Sequence, residues 1–277
     1  MSGGVRWVAL GASFALACSV VTSFDGLTGD GGTCATCGAR SDAGPDADSA
    51  DSAKDTDVAF DATPKPFCAS LVPQPKLCAD FDVGLFSDQF SIVETTPGAT
   101  LKSDSAAFRS PKNAFVASLP AGGTDDHAAM TRAFAGTVTT LSYAVDMRVE
   151  SWTTGKSGVV AVLVLNEGTA SQHTMSFYLT DTFAALEEAF GSPAVIVDHM
   201  LSVHPQLLGV WTRVQFDVDL ANHTCSASLD GVPALASTPI DATWASGTLR
   251  AHLGLTFVSG QASPWTVRYD NVVVDWK

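Results

Sequence analysis

Few side chains in this 277-residue chain have the types and spacing that chemistry needs. Glycosidases work with two carboxylates, roughly 5–9 Å apart, on either side of a sugar bond. The only clustered pair of glutamates here is Glu187-Glu188. Neighbours on a strand point to opposite faces, so these two cannot flank one bond, and both are expected to face solvent. The six histidines, 127, 173, 199, 204, 223 and 252, show no HExxH spacing. His199 and His204, five apart around a proline turn, make only a weak metal pair. A GxSxG elbow and a phosphate-cradling glycine loop are both missing. The sequence therefore leans away from an enzyme. Binding chemistry is better represented. Trp152 (in SWTTGKSG), Trp244 and Trp265 lie near turns, where an exposed ring can stack on a sugar beside polar groups. The plainer alternative is that they cap the ends of a β-sandwich. Trp211 and Trp276 have strand contexts and read as core or sheet edge.

Cysteine carries the other chemistry, at 18, 34, 37, 68, 78 and 225. Arg6 precedes an apolar run, VALGASFALA over 8–17, which ends at Cys18. Ten helical residues rise only ~15 Å, too short for a ~30 Å hydrocarbon core, so the run reads as a secretion signal. Leu16-Ala17-Cys18 resembles a bacterial lipobox, although Ala15 stands where Leu is commoner. The resemblance implies cleavage before Cys18, acylation of its thiol and firm membrane anchoring, with Ser19 matching outer-membrane sorting. An ordinary cleavable signal is the alternative. Cys34 and Cys37 have CxxC spacing in a Gly-rich context without further zinc ligands nearby. Cys68 and Cys78 flank ASLVPQPKL, and a disulfide there would pin the start of a domain in an oxidising compartment. Cys225 reads as a buried free thiol.

Net charge is −14, unevenly placed. Residues 25–63 hold nine Asp against Arg40 and Lys54. This Asp/Ala/Ser-rich stretch lacks the apolar residues that offset ordering entropy and reads as an extended, self-repelling tether. No Glu follows its aspartates at EF-hand spacing, which argues against a calcium loop there. Without a basic stripe, nucleic acid is excluded as a partner. The expected organisation is a signal peptide over 1–17, a lipid-anchored linker over 18–63 and one domain over 64–277. The protein is expected to be exported and held at the outer membrane or cell surface, with the membrane as one partner.

From residue 80 onward, about twelve strand-like runs alternate with Gly/Pro/Asp turns. Leu141, Tyr143, Val145, Met147 and Val149 share one face of such a run, and Val214, Phe216 and Val218 one face of another. One-sided patterns of this kind mean antiparallel sheets with one face buried, hence an all-β sandwich or jelly roll. Ala184–Phe190 is either a strand or a turn or two of helix. GVWTRVQFDVDL (209–220), TCSASLDG (224–231), VRYDNVVVD (267–275), CADFD (78–82) and RSPKNAF (109–115) together resemble concanavalin A-like domains, particularly the laminin G-like group. The lipobox, tether and domain together resemble many bacterial surface lipoproteins. The resemblance implies two antiparallel sheets with the last strand beside the first. It also implies that calcium could sit near those strands, with Asp82 and Asp270 as its ligands; a solvated face is the plainer reading of both. The leading functional expectation is a non-catalytic module that binds carbohydrate or another extracellular ligand. A glycoside hydrolase or lyase on the same fold, and a structural envelope lipoprotein, are the alternatives.

Overall fold

Burial alternates residue by residue in β-strands 212–219 and 224–229, which gives each one wet and one dry face, whereas strand 158–165 is buried throughout. The computed structural model describes residues 66–82, 88–123, 126–136, 138–205 and 207–277. The signal run, Cys18, the tether and the Cys34/Cys37 pair lie outside these residues. The elements begin with a single helical turn, α1 (Phe67–Ser70), then β1 (Leu77–Ala79), β2 (Ile92–Thr95), β3 (Thr100–Asp104), β4 (Ala114–Leu119) and β5 (Ala128–Phe134). Next come β6 (Thr140–Ser151), β7 (Gly158–Leu165), β8 (His173–Leu179), β9 (Ala184–Phe190) and β10 (Val195–Met200). The last five are β11 (Thr212–Asp219), β12 (Thr224–Leu229), β13 (Val232–Pro239), β14 (Leu249–Val258) and β15 (Trp265–Trp276).

These strands form two antiparallel sheets packed face to face. The eight-stranded sheet runs β13-β12-β11-β6-β15-β4-β3, with β1 also paired to β15, so the first strand lies beside the last. The seven-stranded sheet runs β10-β9-β8-β7-β14-β5-β2. In β6, Leu141, Tyr143, Val145, Met147 and Val149 point into the core, where Tyr143 stacks on Phe216 of β11 at 5.2 Å between ring centroids. The Tyr143 hydroxyl donates to the carbonyl of His252 in the facing sheet, which satisfies the polar tip of a wholly buried ring. Each such large apolar side chain contributes roughly 1.5–3 kcal/mol.

Local chemistry sets the joints. β12 and β13 are joined by Asp230-Gly231, both at positive φ (49° and 77°), the backbone a tight two-residue hairpin requires. A bulge in β15 between Asp270 and Val273 places Asn271 at φ 49°, a left-handed conformation Asn tolerates. Cys68 and Cys78 are joined by a disulfide that ties α1 to β1, and Cys225 is a buried free thiol. Ala184–Phe190 is a strand. β3 and β13 escape the alternation test because both are sheet edges with mostly exposed residues. β13 even carries Pro233 and Pro239, which edge strands accommodate.

Candidate functional site

β7, GVVAVLVL, is buried along its whole length, on both faces. Val160, Leu163 and Leu165 belong to the core between the sheets. Val159, Val162 and Val164 form a separate apolar cluster, with Tyr178 packed against it, on the outward face of the seven-stranded sheet. Directly opposed residues in antiparallel strands share a face, so the register carries one row across the whole sheet. Ile92 opposes Thr131, Thr131 opposes His252, His252 opposes Val162, and Val162 opposes Ser176. Ser176 in turn opposes Glu187, and Glu187 opposes Asp198. The middle of this row is sheltered, with Thr131 2%, Ser176 4% and Val162 7% exposed, whereas the rim positions Asp198 and Glu94 are open. That gradient follows from the flanking strands, which cover the central positions from both sides. Small residues beside the row, Ala129, Ala185, Ala189 and Gly254, keep the floor low.

Two ionisable groups lie in the row, His252 in its sheltered middle and Glu187 toward its rim. Burial holds the His252 imidazole below its ordinary pKa, so the ring is neutral near pH 7. Its Nδ1 lies 3.0 Å from Thr131 Oγ1, while Nε2 is buried beyond hydrogen-bond reach of any partner, with Glu167 Oε1 3.9 Å away. A buried polar atom left unpaired is uncommon in folded proteins, and here it sits on the sheltered floor. Glu187 titrates above the usual carboxylate range because it is shielded and because Asp198 faces it. It therefore keeps its proton, and its capacity to donate, to higher pH. The ionisable groups around the row are Glu94, Glu167, Glu187 and Asp198 against Arg250, which is ion-paired with Glu167. The face is acidic.

Glu188, one residue on, does the opposite of its neighbour. It points between the sheets and is 1% exposed, which overturns the expectation of a solvent-facing side chain. His199 Nε2 donates to its Oε2 at 3.1 Å, and the Asp241 N–H (2.8 Å) and the Trp244 indole N–H donate to Oε1. Against the penalty of burial, these donors hold Glu188 below the ordinary carboxylate pKa. His173 completes this end cluster, 2.9 Å from Thr243 Oγ1 and packed on Trp244.

The tryptophans expected to greet a sugar lie elsewhere. Trp244 is 2% and Trp265 0% exposed, and Trp152 is half-buried with its ring edge-on to Trp265 at 6.3 Å. An indole closed off on both faces offers no stacking platform, so Trp244 and Trp265 cap the sandwich. His199 and His204 do not converge, since His204 bonds the Thr180 carbonyl instead of joining His199 at Glu188.

Asp82 and Asp270 are brought together on the outward side of the eight-stranded sheet. Asp270 is fully buried and accepts from the Arg109, Ser110 and Asn271 N–H groups. Burial first, and then Asp82, pushes its pKa up to about 7. Asp82 Oδ1 takes the Lys112 and Asn113 N–H groups, and its Oδ2 is buried without a partner. Asp80, also buried, adds further negative charge beside Asp82. An all-oxygen set with an orphaned carboxylate oxygen fits a hard divalent cation such as Ca²⁺. Among the described residues no group of three or more His, Cys, Asp or Glu could hold a metal ion, so backbone carbonyls or water would have to complete the shell.

No protein-family model and no curated protein sequence matches the chain. Solved structures do. The endo-β-1,4-glucuronan lyase of the fungus Trichoderma reesei superposes with a TM-score of 0.56 at 14% identity, over 73% of this chain and 96% of that one. The alginate lyase vAL-1 from Chlorella virus gives 0.54 at 8% identity, over 73% and 100%. A cellulose-induced protein gives 0.52 at 12%, over 72% and 96%. At these identities the likeness is one of fold, and the fold is the concanavalin A-like jelly-roll sandwich.

Proposed function

We propose that this domain binds an extended, uncharged polysaccharide across the outward face of the seven-stranded sheet, and that a lipid on Cys18 holds it at the cell surface. The observation that carries the reading is the row from Ile92 to Asp198. It spans seven strands, is sheltered in the middle, and carries hydroxyls, a neutral imidazole and a carboxyl whose charge the fold disfavours. Those are the groups that satisfy sugar hydroxyls. Two of the structural neighbours are lyases of glucuronan and alginate, which supports a polysaccharide as the ligand class. Both of those polymers are polyanions, however, and the acidic groups around this row oppose a chain of carboxylates. The domain is therefore assigned to neutral glycan, with Asp82 and Asp270 holding calcium as a brace on the other sheet.

Affinity electrophoresis of the full chain through gels containing arabinan, xylan, mixed-linkage glucan or alginate tests this. Retardation by at least one neutral polymer, but not by alginate, is expected, and Ser176→Trp, which fills the floor of the row, should abolish it. Retardation by alginate alone, or by no polymer, would refute the reading.

One observation favours a catalytic variant of the same reading. Glu187 and Asp198 face each other across β9 and β10, and the pKa of Glu187 is raised by burial and by Asp198, the direction that acid catalysis at a glycosidic bond uses. Release of new reducing ends from a retained polymer, lost in Glu187→Gln while retention persists, would establish the hydrolase.

A further inference from the structure

The outward face of the eight-stranded sheet carries a groove of about 750 Å³, within the ~300–1,000 Å³ range of small-molecule sites. Two half-buried aromatic rings line it, Phe67 from α1 and Trp211 just ahead of β11. Its floor is a fixed polar network. Arg213 Nη1 donates to Asp146 Oδ2 (3.3 Å) and to the Asn271 carbonyl (2.8 Å), and Asn271 Nδ2 donates to the same Asp146 oxygen at 2.7 Å. Asp146 is 4% and Asn271 3% exposed, so the network is anchored in the sheet and not in a loose surface layer. The Arg213 guanidinium lies over the Phe67 ring at 5.3 Å, which orients both. Gln215, Ser228 and Asp230 line the groove as further donors and acceptors.

Aromatic faces for the C–H side of a sugar, beside donors and acceptors whose positions are already fixed, are the makings of a carbohydrate site. The charges that line the groove balance, with Arg109 and Arg213 against Asp146 and Asp230, which suits a neutral ligand. We infer that this groove is a second glycan site, taking a short stretch of neutral oligosaccharide, on the opposite side of the sandwich from the row through His252. The domain is then bivalent: it can hold two glycan segments at once, and on a polymer its avidity exceeds the affinity of either face.

Fluorescence and calorimetric titration of the full chain with xylohexaose, cellohexaose, mannohexaose and arabinohexaose tests the groove. Ser176→Trp, which closes the opposite face, should still bind at least one of the four. In that background Trp211→Ala should raise Kd at least tenfold, and Gln215→Ala, which removes no aromatic volume, about threefold. The assignment is overturned if Ser176→Trp binds none of the four, or if folded Trp211→Ala and Gln215→Ala variants both stay within twofold. The two sites fail separately. Binding untouched by Ser176→Trp but abolished by Trp211→Ala removes the row and keeps the groove, and the reverse pattern keeps the row alone.

Discussion

Glu187 and Glu188 are the same residue type, one peptide apart on one strand, and they live in opposite worlds. Glu187 stands on the outward face, shielded, opposite Asp198 and without a donor, and the fold disfavours its charge. Glu188 stands between the sheets with three donors from two segments, and the fold favours its charge although it is the more deeply buried. Burial alone therefore does not decide whether a carboxylate is tolerated; the number of aimed donors does. Glu188 has the surroundings of a structural keystone, and Glu187 those of a group awaiting a partner.

That contrast can be broken most violently at Glu188. Glu188→Ala strands the Trp244 and His199 N–H groups in the core and should cost about 3–5 kcal/mol, a fall in Tm of roughly 10 °C or more by calorimetry. Glu187→Ala should leave Tm nearly unmoved; equal losses at the two positions would erase the distinction.

Next in size is the calcium brace. If Asp82 and Asp270 take Ca²⁺, saturating it at about 100 times Kd should raise stability by about 2.7 kcal/mol. In Asp270→Asn the rise in Tm should vanish. An unchanged Tm in wild-type protein on titrating Ca²⁺ after chelator treatment would remove the brace.

The pH dependence sharpens the comparison further. The pKa of Glu188 is depressed in the fold, so its contribution is fully present above the unfolded value of 4.5 and is lost as pH falls through the folded one. Glu188→Gln should accordingly flatten the acid limb of the stability curve. Glu187, raised in the fold, behaves in reverse: its contribution is present below 4.5 and fades as pH climbs through the folded value. The smallest expected effect follows, with Glu187→Gln at neutral pH matching or exceeding wild type by up to about 0.5 kcal/mol. Urea unfolding at several pH values checks both signs.

Much of the frame is legible in the amino-acid sequence. Alternation at Val214–Val218 reports a one-sided strand directly, because each residue's burial repeats with period two, and at Leu141–Val149 it picks out the core-facing row although Ala144 and Asp146 on the other face are buried as well. Asp82 and Asp270 can be paired from sequence because the terminal strands of the resembled fold lie side by side. The row from Ile92 to Asp198 cannot. Its members lie on seven strands, and no local pattern links Thr131 to His252 or Ser176 to Glu187; only the register does. The tryptophans mislead for a related reason. Trp244 and Trp265 stand near turns in sequence, but a turn at the end of a sandwich can fold its ring inward to close the core. Trp211, whose context reads as core or edge, is half-exposed because it precedes β11 and its side chain lies at the groove.

The Cys68–Cys78 bridge has a meaning beyond stability. Closing a loop of sequence separation 10 contributes roughly 3 kcal/mol in the chain-entropy picture. Its location matters more. α1 is a single turn with no buried residue of its own, so the disulfide and the Cys68 N–H to Asp80 bond are what fasten Phe67 against Arg213. One wall of the groove is therefore conditional on oxidation. A freshly made, reduced chain has the floor of that site without its clasp, and it gains a complete one only where thiols can pair.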